Sequence, residues 1–204
     1  MVKMILALLD DNGALRWSVG VDSTAVRARQ AAAGAGKRPV PGEPDDHALG
    51  RSRGGWTTKT HLAADTSQSL LSLIATVGPR GDSLQFQPVL QRIKVPRLGR
   101  GRPRARLDRV LADKAYPSRA NRACLRKRGI RAGIPEKKDQ HRNRTAEGRA
   151  GGRPPAFDRE AHKGRNTVER TIGRLKCYRA VSTRYDKHEA TIQVAVLRDR
   201  TPHS

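Results

Sequence analysis

Three carboxylates stand where they could share one task. Asp22 follows the apolar Val19 and Val21, Asp113 follows Val110 and Leu111, and Glu169 adjoins Val168 in a stretch that reads as a long helix. An Asp just after a short buried strand sits at a sheet's rim, where open α/β sheets bind ligands. Two strand ends and one helix could therefore bring three acids together. Clustered carboxylates suit Mg²⁺, which prefers oxygen ligands. Two such ions, about 3.5–4 Å apart, activate an attacking oxygen and stabilise a leaving one, as cutting a phosphodiester requires. Each acid also has a plainer use. Asp22 can cap the turn into Ser23-Thr24-Ala25-Val26, and Asp113 the turn before Tyr116. Glu169 can pair with Arg165 or Arg174, an exposed contact worth only about 0.3–0.5 kcal/mol. Spacing alone leaves both readings open.

These acids lie in a basic chain. Its 204 residues carry 42 Lys and Arg against 19 Asp and Glu, a net charge of +23. Such a charge opposes compaction and favours polyanionic partners. Nucleic acid leads, because phosphate neutralisation supplies most sequence-independent affinity. With 36% apolar and 3% aromatic residues, the core must be aliphatic and modest. The scarcity of aromatics also argues against RNA binding by base stacking. No apolar run approaches the roughly 18 residues of a membrane span. "MVKMILALLDD" is too short for one and lacks the cleavage site of a signal peptide. Cys124 and Cys177 have no partner at metal-ligand spacing and read as ordinary intracellular thiols. A cytoplasmic, nucleoid-associated protein is expected.

The elements that must position the acids follow from pattern. "WSVGVDSTAV" (17–26) is a β-branched alternating run, hence a strand. "WTTKTHLAAD" (56–65) and "LLSLIATV" (70–77) are two more, joined by a polar turn that favours an antiparallel hairpin. "DSLQFQPVLQRIK" (82–94) is helical, with Asp82 or Ser83 as cap and Pro88 delaying the regular helix. "RVLADKAY" (109–116) is a short strand, 119–129 a helix closed by Gly129, and 130–135 a further strand. Segment 158–176 reads as one helix, with Val168, Ile172 and Leu175 on one face. The basic, Gly/Pro-rich stretches 27–55, 97–107 and 136–157 read as flexible loops, and 189–204 as a polar tail after a short helix. Three antiparallel strands followed by crossover-connected strands describe a mixed sheet with helices on both faces, an α/β fold.

With these residues placed, the chain resembles a DDE transposase of the insertion-sequence IS4/IS5 type. "VGVDSTAVRA" is similar to the family's first-Asp strand, "RVLADKAYPSR" to its second, and "RNTVERTIGRLKCYRAVSTRYDK" to its Glu helix. The helix signature is Tyr, two residues, Arg, three residues, Glu, six residues, Lys; Arg165, Glu169 and Lys176 match it. "RSRGGWTTKTHLAAD" and "FDREAHKGRN" also resemble family connecting segments. The resemblance covers roughly residues 15 to 188 and implies an RNase H-like catalytic domain over 16–188, after a short segment 1–15. It implies cleavage and strand transfer at inverted terminal repeats, with Asp22, Asp113 and Glu169 holding two Mg²⁺ (or Mn²⁺). Arg165 and Lys176 would hold terminal phosphates of double-stranded DNA. Tyr116, His162, Arg170 and Arg174 are further candidates for DNA contact. Pairing two DNA ends suggests a homodimer on DNA.

Three departures from the family pattern stand out. His162 occupies the signature Tyr position, where an imidazole can stack or donate a hydrogen bond. The sequence starts almost at the first catalytic strand, where family members usually carry an N-terminal helical DNA-recognition region, and its tail turns polar at "RDRTPHS". The expectation is a truncated copy with its active-site residues retained. The alternative is a non-enzymatic, basic DNA-binding remnant. Of the remaining residues, Trp17 and Trp56 read as core or rim packing rather than base stacking, His61 as a satisfied sheet residue and Asp65 as a turn residue.

Overall fold

The computed structural model describes residues 2–33 and 44–187. Its centre is strand β1 (Ser18–Ala28), whose Val19, Gly20 and Val21 are buried. Next to it runs β3 (Gly55–Asp65), antiparallel, with Asp22 opposite Leu62 and Ser23 opposite His61. A turn at Asp65–Ser69 folds β3 onto β4 (Leu70–Val77), giving the expected hairpin. Asp65 closes that turn by accepting the Ser69 amide, and Gln68 takes a positive φ of 64°. On its other edge β1 pairs in parallel with β5 (Arg109–Ala112), and β5 in turn with β6 (Arg131–Gly133). Short β2 (Gly50–Ser52) extends the hairpin beside β3, and β7 (Thr183–Arg184) pairs with the end of β1. The result is a seven-stranded mixed sheet.

Strand alternation sends each strand's residues to two faces. One face packs α1 (Val2–Asp11), α3 (Asp82–Gln91) and α4 (Arg119–Lys127) over Val19, Val21, Val110 and Ala112. The other packs α7 (Asn166–Cys177) through Val168 and Leu175 onto Leu62, Ala64 and Leu70. Helices therefore cover both faces, as expected for an RNase H-like fold. Residues of the short α2 (Gln30–Ala33) and α8 (Arg179–Ser182) flank the end of β1. No helix among the described residues is long and apolar enough to cross a membrane.

Several elements differ from their sequence reading. The segment before Leu15 is helical, and Leu6 joins the core. Helix α3 begins at Asp82 and runs through Pro88, with Gly81 as its cap. The proline removes one N–H, but Phe86, Val89 and Leu90 are fully buried around it, and that burial outweighs the lost bond. The strand over 109–116 stops at Ala112, because the Asp113 side chain accepts the Ala115 amide and turns the chain. The stretch 136–157 is not a loop throughout. It forms α5 (Lys138–Ala146) and a 3-10 turn at Gly148–Gly151, with Arg144 gripping Glu136 through two hydrogen bonds. The expected helix 158–176 is two helices, α6 (Arg159–Lys163) and α7, broken at Gly164 and Arg165. Stretch 27–55 contains α2 and β2 where it is described, and 97–107 is irregular apart from a bridge between Val95 and Arg104. The expected C-terminal helix and tail lie outside the described residues.

Two features of this packing are testable. Gly20 faces α7, and a Cβ there would meet the Val168 Cβ at 2.9 Å. Gly20→Ala must push α7 off the sheet. It should lower stability by about 1–3 kcal/mol, the cost of overpacking, as read by chemical denaturation. His61 is fully buried, with Nε2 on the Thr76 hydroxyl at 2.9 Å. Burial pushes its pKa down to about 4, although Asp82 draws it up. The folded ring thus stays neutral where the unfolded one, with a pKa of about 6.5, binds a proton. Stability is full above about pH 6.5 and falls as pH drops towards 4. His61→Gln should lose less stability between about pH 7 and pH 5 than the wild type, by on the order of 2 kcal/mol.

Candidate active site

The parallel pairing of β1 with β5 aligns Val21 with Ala112, so Asp22 and Asp113 are the next residues on neighbouring strands, at the point where β5 ends and β1 runs on to Ala28. Each is oriented by a local amide. The Ser23 N–H donates to Asp22 Oδ1 at 2.8 Å, and the Ala115 N–H to Asp113 Oδ1 at 2.7 Å. The turn expected at Asp113 therefore exists, whereas the turn expected after Asp22 does not, because Ser23–Val26 continue β1. One carboxylate oxygen of each acid is fixed by the main chain.

Glu169 arrives from the α7 face. Because Gly20 has no side chain, Val168 packs directly on β1 two residues before Asp22. That contact sets the distance of the first turn of α7 from the sheet, and Glu169 lies in that turn. Arg165 spans the gap. Its Nη2 donates to Glu169 Oε1 at 2.5 Å and its Nη1 to Asp22 Oδ2 at 3.5 Å, across 143 residues of sequence. The expected i,i+4 pair is real, yet it reaches beyond the helix. Arg174 does not join it and instead donates to the Gln68 carbonyl at 3.4 Å.

Asp22 feels the charge of both other acids. Burial raises the Asp22 pKa, and the charges of Asp113 and Glu169 raise it further; the Ser23 amide and Arg165 oppose them. Among the described residues, no group of three His, Cys, Asp or Glu is drawn together tightly enough to enclose a metal ion. The donor chemistry nonetheless fits a hard divalent cation. A partly buried Asp22 carboxylate that feels the charges of Asp113 and Glu169 is what such a cation would relieve. Arg165 supplies the positive charge between two of them.

The remaining candidates separate. Lys176 is exposed in the last turn of α7, about 10 Å along the axis from Glu169. Arg170 and Arg174 are exposed on the same helix. Tyr116 is not available to DNA. It is 1% exposed, packed on Phe86 with ring centroids 5.6 Å apart. Its phenol is pushed above its ordinary range by burial and by Asp82 and Asp22. His162, at the signature position, is engaged away from the acids. Its Nδ1 lies 3.0 Å from the Gly133 carbonyl oxygen, and its ring centroid is 5.1 Å from that of Phe157. The break at Gly164 permits that orientation. Trp17 is core, bonded to Asp10 and covered by Arg104 at 4.1 Å, whereas Trp56 is exposed. Asp65 is a buried turn residue, as expected.

Sequence reading missed a polar cluster behind the site. Asp82 Oδ1 accepts from Ser23 Oγ at 2.6 Å and pairs with Lys59 Nζ at 2.8 Å, with His61 Nδ1 at 3.6 Å. Burial pushes the Asp82 carboxyl up, but Lys59 and Ser23 outweigh it and hold it below the usual carboxylate value. The available signal was the alternation of the titratable Lys59 and His61 on one face of the strand.

A Burkholderia cepacia protein assigned as a transposase for insertion sequence element IS402 is 33% identical over 84 residues, 41% of this chain and 40% of that protein. The chain thus spans well under two thirds of that relative. Among solved structures, a Mos1 transposase paired-end complex with left transposon end is similar at 14% identity and a TM-score of 0.35. That match covers 84% of this chain and 58% of the other. The Mos1 strand transfer complex is similar at 14% identity and a TM-score of 0.37, covering 100% of this chain and 60% of the other. The Transposase DDE domain family matches residues 16–198, nearly the whole chain, and the protein belongs to that family.

Proposed function

We propose that this protein cuts DNA and transfers the cut strand, as a metal-dependent transposase of an insertion sequence. The observation that carries the reading is that Arg165 bridges Asp22 and Glu169, while Asp22 and Asp113 directly follow the last paired residues of two adjacent parallel strands. Family membership supports it. Asp22, Asp113 and Glu169 would hold two Mg²⁺ or Mn²⁺. When bound, such ions activate the attacking oxygen and stabilise the leaving one.

The chain's own residues do the rest. The Ser23 and Ala115 amides each hold one oxygen of the neighbouring aspartate. Burial from the α7 face limits water around Asp22. Arg165, with its fork of donors, is placed to exchange a carboxylate for a DNA phosphate. Arg170, Arg174 and Lys176 line the exposed side of the same helix and suit the phosphate backbone. The partner is double-stranded DNA, at the element's ends and at the target, and a homodimer would hold two ends together. The protein works in the cytoplasm, at the nucleoid.

The test is Mg²⁺- or Mn²⁺-dependent nicking of a duplex carrying the inverted repeats that flank the coding sequence. Asp113→Ala and Glu169→Ala should each slow it by on the order of a hundredfold or more. Both should keep salt-dependent DNA binding. Cleavage that survives both substitutions overturns the proposal. Binding by the wild type without any cleavage identifies a non-enzymatic DNA binder instead.

A further inference from the structure

Ser23 is a joint between the two faces of the sheet. Its main-chain N–H orients Asp22, which lies on the α7 face opposite Leu62. Its hydroxyl reaches the other face and donates to Asp82 at 2.6 Å. This is also where β1 is least supported. Pairing with β5 ends at Val21 and pairing with β7 begins at Arg27, so among the described residues only β3 flanks β1 from Asp22 to Val26. A strand with one open edge needs another anchor if a side chain on it must stay aimed.

Asp82 is built to be that anchor. It stands in the first turn of α3, where a carboxylate is favoured by the helix dipole. The helix is fixed by Phe86, Val89 and Leu90, all fully buried. Lys59 at 2.8 Å balances its charge, and the neutral His61 closes the cluster. A bond from a hydroxyl to a paired carboxylate is short and strong. We propose that Asp82 is a positioning residue for the Asp22 carboxylate, acting through Ser23 from the opposite face of the sheet. The inference rests on the reading of Asp22 as a metal-holding group.

The experiment uses the full chain and two measurements. Mn²⁺ affinity is read by calorimetry for the wild type, Asp82→Ala, Asp82→Asn, Ser23→Ala and the Asp82→Ala/Ser23→Ala pair. Exchange of the Ser23 amide is read by NMR without metal. Loss of a group that orients a ligand weakens metal binding by about tenfold or more. Asp82→Ala and Ser23→Ala should each weaken Mn²⁺ binding about tenfold. The double variant should be no weaker than either single one, because both break the same path. Asp82→Asn, whose amide oxygen still accepts from Ser23, should recover part of the loss. The Ser23 amide should exchange faster in Asp82→Ala, with β4 amides unchanged as the sign of an intact fold.

Mn²⁺ affinity within about twofold of wild type in Asp82→Ala overturns the proposal, as do multiplicative losses in the double variant or unchanged Ser23 exchange. A wild type that binds no Mn²⁺, while Asp82→Ala still frees the Ser23 amide, overturns the metal reading and supports the anchor.

Discussion

Carboxylates resist being gathered, and Asp22 shows the resistance directly. Burial and the nearby charges of Asp113 and Glu169 all act to raise its pKa. The surrounding structure answers that repulsion with directed donors rather than with net charge. Backbone amides hold Asp22 and Asp113, and Arg165 lies between Asp22 and Glu169. Each donor is local to its acid in sequence or is carried by the start of the same short helix. The acids can therefore be brought together only if β1, β5 and α7 are themselves placed accurately.

That placement depends on a few contacts. Parallel pairing fixes Asp22 against Asp113, since Val21 and Ala112 are in register. Gly20 lets Val168 sit on the strand and so fixes Glu169. The first turn of α3 serves both aspartates from behind. Asp82 takes the Ser23 hydroxyl, while Asn121 bonds Ser83 and the Tyr116 carbonyl, just beyond Asp113. Phe86, one turn on, packs on the Tyr116 ring. Tyr116 thus belongs to the support of the site and not to its exposed surface.

Much of this was legible in the sequence, for physical reasons. Alternation of β-branched and apolar residues marked β1, β3 and β4, because a half-buried strand requires it. Asp22 and Asp113 stood out because a charge ending an apolar run has few structural uses. Spacing within α7 revealed the Arg165–Glu169 pair, because i and i+4 share a helix face. What was not legible depends on contacts far apart in the chain. Ser23 and Asp82 are 59 residues apart, and nothing local in "DSLQF" marks its Asp as anything but a helix-start residue. Pro88 suggested a late helix, but burial decided otherwise. His162 kept its signature position, while the break at Gly164 and the Gly133 carbonyl redirected its ring.

The same contrast clarifies the chain's charge. A net +23 would by itself make a general polyanion binder. Chemistry on a phosphodiester needs the reverse locally, a small region where negative charge is concentrated and held. The two regions adjoin at α7, which also carries the exposed Glu169. Arg170, Arg174 and Lys176 are exposed along α7, whereas Asp22 is partly buried beneath it. Arg165 stands at the boundary, at the start of the basic helix but bonded to the acids. Because a guanidinium–carboxylate pair near the surface is worth at most about 1 kcal/mol, a phosphate can compete for it on nearly equal terms. A residue so weakly held at the border of the two regions is suited to link the arrival of a phosphate to the state of the site.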